Sequence, residues 1–226
     1  MSSMRLYYNS CRIAANLLYM ALCRGRVFGK HNVPKTGGVL LVCNHQSFFD
    51  PILATLALPR ECSYMARDTL FHNPWFRKLI TSLNAFPVKR GTADIGAIKE
   101  TLRRLKDGGL VNVYPEATRT QDGSVRPMQS GVVLIARKAR VPLVPGMILG
   151  AYEIWPRQAK YPKLGPVIVA YGEPLLPEDM TGKVDDECIE IVRQRIIALM
   201  KRYSKHPLLR DRVNQSNEFD AKRKTE

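Results

Sequence analysis

The sequence predicts an α/β fold: one domain with a mixed, mostly parallel sheet flanked by helices, preceded by an N-terminal amphipathic helix. Three observations lead there. Short apolar runs alternate with longer segments of helical periodicity, the pattern of strands joined by crossover helices. No internal repeat and no linker divides the chain before its charged end, and 226 residues that are 45% hydrophobic suffice to bury one core. The five cysteines, Cys11, Cys23, Cys43, Cys62 and Cys188, are scattered without a C-x-x-C. That excludes a disulfide framework and a zinc ribbon, and it fits a reducing compartment.

The elements follow in order. Gly38 to Cys43 is an unbroken apolar run and reads as a buried strand. Asp50 to Leu58 reads as a helix with Pro51 in its tolerated first turn. Cys62 to Ala66 reads as a short strand, Pro74 to Leu83 as a helix and Ala85 to Val88 as a strand. Asp94 suits the N-cap of a helix whose apolar face is Ile95, Ile98, Leu102 and Leu105, stopped by Gly108-Gly109. Leu110 to Tyr114 is then a strand, and Ser130 is placed to cap a helix reaching Arg140. Leu143 to Leu149 and Pro166 to Tyr171 read as strands. The last helix runs from Asp185 to Ser204, with Ile189, Val192, Ile196, Leu199 and Tyr203 on one face. Acids in its first turn and bases in its last suit the helix dipole.

The formal net charge of +15 implies an anionic partner: nucleic acid, a phospholipid surface or a phosphorylated substrate. Neither zinc-finger spacing nor an RNA-recognition aromatic motif is present, which disfavours nucleic acid. No acidic residue precedes Asp50, whereas Arg5, Arg12, Arg24, Arg26, Lys30 and Lys35 do. From Met4 to Cys23 the chain is mostly apolar, with Arg5, Asn9, Arg12 and Asn16 along one helical stripe. The clean run from Ile13 to Cys23 is too short to span a bilayer. An amphipathic helix lying in the membrane interface suits the pattern, although a helix packed on the protein's own core has the same periodicity. The expected division is therefore a docking helix over 1–29, a domain over 30–204 and a charged tail over 205–226.

Four segments carry chemistry. In Asn44-His45-Gln46-Ser47-Phe48-Phe49-Asp50-Pro51, His45 and Asp50 would fall on different faces of a continuous helix, since five residues turn it through about 500°. They meet if His45 lies in a loop and Asp50 opens the helix, a boundary that Pro51 favours. Asp50 would then accept from one ring nitrogen and make the other a better base. Taken alone, the pair also fits an ordinary turn. In Tyr114-Pro115-Glu116-Ala117-Thr118-Arg119-Thr120, Arg119 offers a planar fork to a phosphate, Thr118 and Thr120 add hydroxyls, and Glu116 can hold the arginine or accept from a substrate hydroxyl. A surface turn with an ion pair is the plainer reading. Lys89 and Arg90 end an apolar strand just before Gly91 and suit an anion. Val141-Pro142-Leu143-Val144-Pro145-Gly146 reads as core packing or as the wall of an acyl channel. His31, His45, His72 and His206 show no metal-ligand spacing, so no metal site is expected.

In this order the four segments resemble the PlsC-type glycerolipid acyltransferase family, over about residues 30 to 175. Asn44 to Asp50 matches that family's first block at every fixed position, and Tyr114 to Arg119 matches its F-P-E-G-T-R block with two changes. Tyr114 stands for Phe, and Ala117 stands where the family usually has Gly, which narrows the phosphate pocket or indicates a different acceptor.

The resemblance implies that His45 is the general base and Asp50 orients it. It implies that Glu116, Thr118 and Arg119 bind the acceptor's glycerol phosphate, and that Lys89 and Arg90 add charge for that phosphate or the donor. The implied reaction moves a fatty acyl group from acyl-coenzyme A or acyl carrier protein to the free hydroxyl of 1-acylglycerol 3-phosphate, giving phosphatidic acid. No cofactor beyond the thioester donor is implied. The implied partners are a membrane phospholipid surface, a lysophospholipid acceptor and the acyl carrier, at the cytoplasmic face of a membrane, peripheral or monotopic. The alternatives are another lysolipid or glycerol 3-phosphate as acceptor, or a non-catalytic module that binds anionic lipid.

Overall fold

The computed structural model describes residues 24–89 and 94–209, together with Ser10, Ile13 and Ala14. The helix expected over Met4–Cys23 falls almost entirely outside these residues, as do Arg90 and the tail beyond Leu209.

Among the described residues, seven strands form one sheet: β1 (Arg26–Phe28), β2 (Val39–Cys43), β3 (Cys62–Arg67), β4 (Ala85–Val88), β5 (Leu110–Val113), β6 (Leu143–Leu149) and β7 (Ile168–Tyr171). Their spatial order is β1-β7-β6-β2-β5-β3-β4. Every neighbouring pair is parallel except β6 with β7. The sheet is therefore mixed and mostly parallel.

The helices are α1 (Asp50–Leu53), α2 (Pro74–Ser82), α3 (Ile95–Lys106), α4 (Gly131–Ala139), α5 (Ala151–Ile154) and α6 (Asp185–Ser204). Both faces of the sheet are covered, and the apolar run in β2 conceals a period of two. Leu40 and Val42 face the layer that holds Leu105 of α3, Val133 and Ala136 of α4, and Ile189, Val192 and Ile196 of α6. Val39, Leu41 and Cys43 face the opposite layer, with Leu53 of α1, Leu56, Leu58, and Ala151 and Ile154 of α5. Each of these larger side chains gains about 1.5–3 kcal/mol from burial. Gly146 lets β6 lie close to β2, since a Cβ there would sit 2.4 Å from the Cys43 sulfur.

Several expectations need correction. The helix from Asp50 ends at Leu53 rather than Leu58, because the ladder loosens into three-residue turns with Thr55 N–H donating to Ile52 O and Leu58 N–H to Thr55 O. Asp94 caps α3 through Ala97 N–H, but Ser130 makes no side-chain cap and α4 begins instead with Val133 N–H donating to Ser130 O. Ile95 is exposed, and the buried stripe of α3 is Ala97, Thr101 and Leu105. The sheet begins at Arg26, inside the segment expected to dock, where three residues are too few to show a period. At the other end Leu208 and Leu209 still pack on the core, so the tail leaves the domain later than residue 205. The Val141–Gly146 segment is buried strand and strand approach, which is its core-packing reading.

Candidate active site

Parallel pairing brings the C-terminal ends of β2, β5, β3, β4 and β6 to one end of the sheet. The loops that leave β2 and β5 there carry the two main sequence motifs, as ligand-bearing loops of open α/β sheets do.

His45 lies in the first loop and Asp50 opens α1, with Pro51 in the first turn. The His45 Nδ1 is 2.7 Å from Asp50 Oδ2. The same carboxylate oxygen accepts the N–H groups of Gln46 at 2.5 Å and Ser47 at 2.7 Å. A loop folded around its own aspartate thus holds one ring nitrogen, and Nε2 is the nitrogen left for chemistry. The N–H groups of Gln46 and Ser47 are thereby committed to Asp50. Asp50 is fully buried, and burial pushes its carboxyl above the usual range against the pull of His45, Ser47 and Gln46. The His45 side chain keeps 12% of its surface exposed.

The second loop grips the first by its backbone. Glu116 Oε1 accepts His45 N–H at 3.1 Å, and Thr120 N–H donates to His45 O at 2.8 Å. The Tyr114 ring stacks on the imidazole, with centroids 4.3 Å apart and planes at 26°. The Tyr114 hydroxyl accepts from Asn112 Nδ2 at 2.9 Å. The imidazole is therefore positioned by a carboxylate at one nitrogen, an aromatic face beside it and hydrogen bonds on both sides of its main chain.

Glu116, expected to hold Arg119 or to meet the substrate, turns inward. It is 6% exposed and bonds the backbone N–H groups of His45 and Arg126 rather than Arg119. Burial raises its carboxyl to about 7, with those two N–H groups pulling the other way. Its Oε2 is buried without a hydrogen-bond partner among the described residues. Glu116 thus braces the His45 main chain.

Arg119 sits over the Phe48 ring, its guanidinium carbon 3.4 Å from the ring centroid, which ties the second loop to the first by a cation–π contact. Thr118 Oγ1 accepts from Arg157 Nη1 at 3.2 Å, so a further cation from beyond α5 reaches the same loop. Lys89 shares this end of the sheet, but β4 stands three strands from β2, about 14 Å at the usual strand spacing. The structure thus brings Thr118 and Arg119 beside His45 and leaves Lys89 apart.

Ala117 is exposed with φ +60°. The left-handed conformation costs an L-residue roughly 1–2 kcal/mol and suits glycine. The unusual residue is thus felt first by the backbone.

Asn44 and Gln46 were not singled out from the sequence. The Asn44 side chain extends the β2–β6 pairing, donating to Ile148 O at 2.9 Å and accepting Ile148 N–H at 2.8 Å. Gln46 donates to Gly123 O at 2.9 Å and accepts from Tyr152 N–H at 3.3 Å. A polar residue at a strand end has many uses, so only their burial reveals these two as braces.

An acyltransferase family model matches residues 24–149, which include both motif loops and six of the seven strands, with β6 ending at its last residue. The chain belongs to the acyltransferase family. Curated relatives agree. The 1-acyl-sn-glycerol-3-phosphate acyltransferase of Bacillus subtilis is 31% identical over 194 residues, 84% of this chain and 94% of that protein. The enzyme of that name from Cocos nucifera is 26% identical over 184 residues, 79% of this chain and 59% of that protein. The crystal structure of the acyltransferase PlsC from Thermotoga maritima superposes with a TM-score of 0.75 at 27% identity, covering 89% of this chain and 83% of that one. This acyltransferase therefore shares its fold with a solved relative. Burial raises the thiol of Cys43, which ends β2 just before the His45 loop, as suits a packed cysteine rather than an activated one.

Proposed function

We propose that this acyltransferase moves a fatty acyl group from an acyl thioester to the free hydroxyl of 1-acylglycerol 3-phosphate, giving phosphatidic acid. The observation that carries the proposal is the buried His45–Asp50 pair, held at 2.7 Å. Nε2 takes the proton of the acceptor hydroxyl as its oxygen attacks the thioester carbonyl. Asp50 stabilises the imidazolium that forms. Collapse of the tetrahedral intermediate breaks the carbon–sulfur bond, and the imidazolium returns the proton to the departing thiolate. Written this way, the transfer uses no acyl-enzyme and no cofactor beyond the thioester.

Arg119 and Thr118, next to the catalytic loop, are the groups we assign to the acceptor phosphate, and Lys89 suits the more distant anionic parts of the donor. The names of the relatives favour the lysophosphatidic acid acceptor. A peripheral or monotopic site at the cytoplasmic face of a membrane fits a lipid acceptor. Among the described residues no helix is long and apolar enough to cross a bilayer.

The test is transfer of a labelled acyl group from acyl-coenzyme A, and separately from acyl carrier protein, to a panel of lysolipids and glycerol 3-phosphate. His45→Ala is run beside the wild type. We expect product from lysophosphatidic acid and a fall of about a hundredfold to ten-thousandfold in the variant. An active His45→Ala would remove the base, and product from a different acceptor would keep the mechanism and move the specificity. No product with either donor would leave a lipid-binding module.

A further inference from the structure

Three of the large apolar side chains of α2 are exposed. None of its nine residues is buried, and Trp75, Phe76 and Leu79 are 81%, 42% and 47% exposed. Leu70, in the turn before it, is 44% exposed. An isolated helix shorter than about 12–15 residues is marginal in water. This one is nevertheless firmly shaped at its start. Asn73 Oδ1 accepts the N–H groups of Trp75 and Phe76 at 3.0 Å each, and Arg77 Nε donates to Phe71 O at 2.7 Å. Hydrogen bonds hold the corner while its large apolar side chains face outward.

Its position and charge indicate what covers it. The corner leaves the C-terminal end of β3, which is parallel to β5, itself parallel to β2, so Leu70, Trp75 and Phe76 share the end of the sheet with His45. α2 contains Arg77 and Lys78 and no acid, and His72 precedes it. The one acid in the turn, Asp68, accepts Thr69 N–H at 2.9 Å. Indole and phenyl rings beside cations are the composition that enters the interface of an anionic bilayer.

We propose that the corner formed by Leu70 and the first turn of α2 is a docking surface for an anionic phospholipid bilayer, placing Trp75 and Phe76 in the interface and the open end of the His45 site toward the leaflet. It acts besides whatever residues 1–29 contribute, and it rests on the reading that the acceptor is a membrane lipid.

The test uses the full chain and the double variant Trp75→Ser, Phe76→Ser, neither residue being part of the catalytic loops. Flotation is measured with vesicles of phosphatidylcholine and phosphatidylglycerol in equal parts, and transfer with a short-chain lysolipid dispersed as monomers. We expect the variant to bind the vesicles about tenfold more weakly while keeping wild-type transfer to the dispersed acceptor. Vesicles of phosphatidylcholine alone should bind the wild type less than the mixed ones. Trp75 emission, isolated by subtracting the Trp75→Phe spectrum, should shift to the blue on the mixed vesicles. Equal binding by wild type and variant, or no blue shift, overturns the proposal. So does a wild-type dimer that the variant loses, which would make a second copy the occupant. Vesicle binding is read without turnover, so absence of transfer to every acceptor would fall on the functional reading alone.

Discussion

Two neighbouring regions at the same end of the sheet are built from opposite materials. Around His45 the side chains turn inward: Asp50, Glu116, Asn44, Gln46 and Thr120 are buried and hydrogen-bonded to the loops they stabilise. Around Trp75 they turn outward, and the hydrogen bonds run only along the corner itself. Polar groups buried inside are specified by geometry, because an unanswered one is costly. Large apolar groups left outside are specified by something beyond the chain. A change in the first region should therefore alter the chemistry, and a change in the second should alter where the chemistry happens.

The sharpest test of that contrast is Asp50→Asn. The amide oxygen can still accept from Gln46 and Ser47, but no negative charge remains to stabilise an imidazolium. We expect kcat to fall by about a hundredfold to ten-thousandfold with the fold retained, measured by acyl transfer beside circular dichroism. A wild-type kcat would break the comparison at its stronger side.

Glu116→Gln tests the clamp on the His45 backbone. We expect a smaller loss, about tenfold in kcat, from a loosened loop. It also has a pH signature. Burial raises Glu116 from 4.5 to about 7 in the folded chain, so the folded state holds the proton more tightly. The stability it contributes is full below about 4.5 and is lost as pH rises through about 7, by roughly 3 kcal/mol at most. Denaturant unfolding across that window should give a flatter pH dependence in the Gln variant. Asp50, also raised by burial, acts in the same sense and remains in both proteins. An unchanged slope would assign the titration to another group.

The smallest effect is expected at Ala117, where the inward-turned loop reaches the surface. Glycine would remove the left-handed penalty but lose more entropy on folding. The net gain expected from Ala117→Gly is about 0.5–1 kcal/mol, read as a higher midpoint of unfolding. A lower midpoint would mean that the Ala methyl makes contacts worth more than the strain. If the acceptor preference changes as well, the position serves specificity besides conformation.

Much of this molecule was legible before its structure. β2, β6 and α6 fall where apolar runs and helical periodicity place them, because each buries an apolar pattern of five residues or more. β1 and α5 were not legible, since three or four residues carry no period. The His45–Asp50 pairing was readable because Pro51 places a helix boundary between loop and helix. The inward turn of Glu116 was not, since a carboxylate after a strand reads equally well as a substrate ligand or as an internal clamp.

The sequence by itself determined the class of fold, the pairing of His45 with Asp50, and the surplus of positive charge. These are local properties: periodicity, a proline boundary, a count of ionisable groups. The tertiary structure alone decided which groups meet across the sheet. Glu116 reaches the His45 backbone, Asn44 reaches Ile148, Lys89 stands three strands away, and Trp75 faces outward at the same end of the sheet. Such relations depend on strand order and on what each surface buries, and no spacing along the chain encodes either.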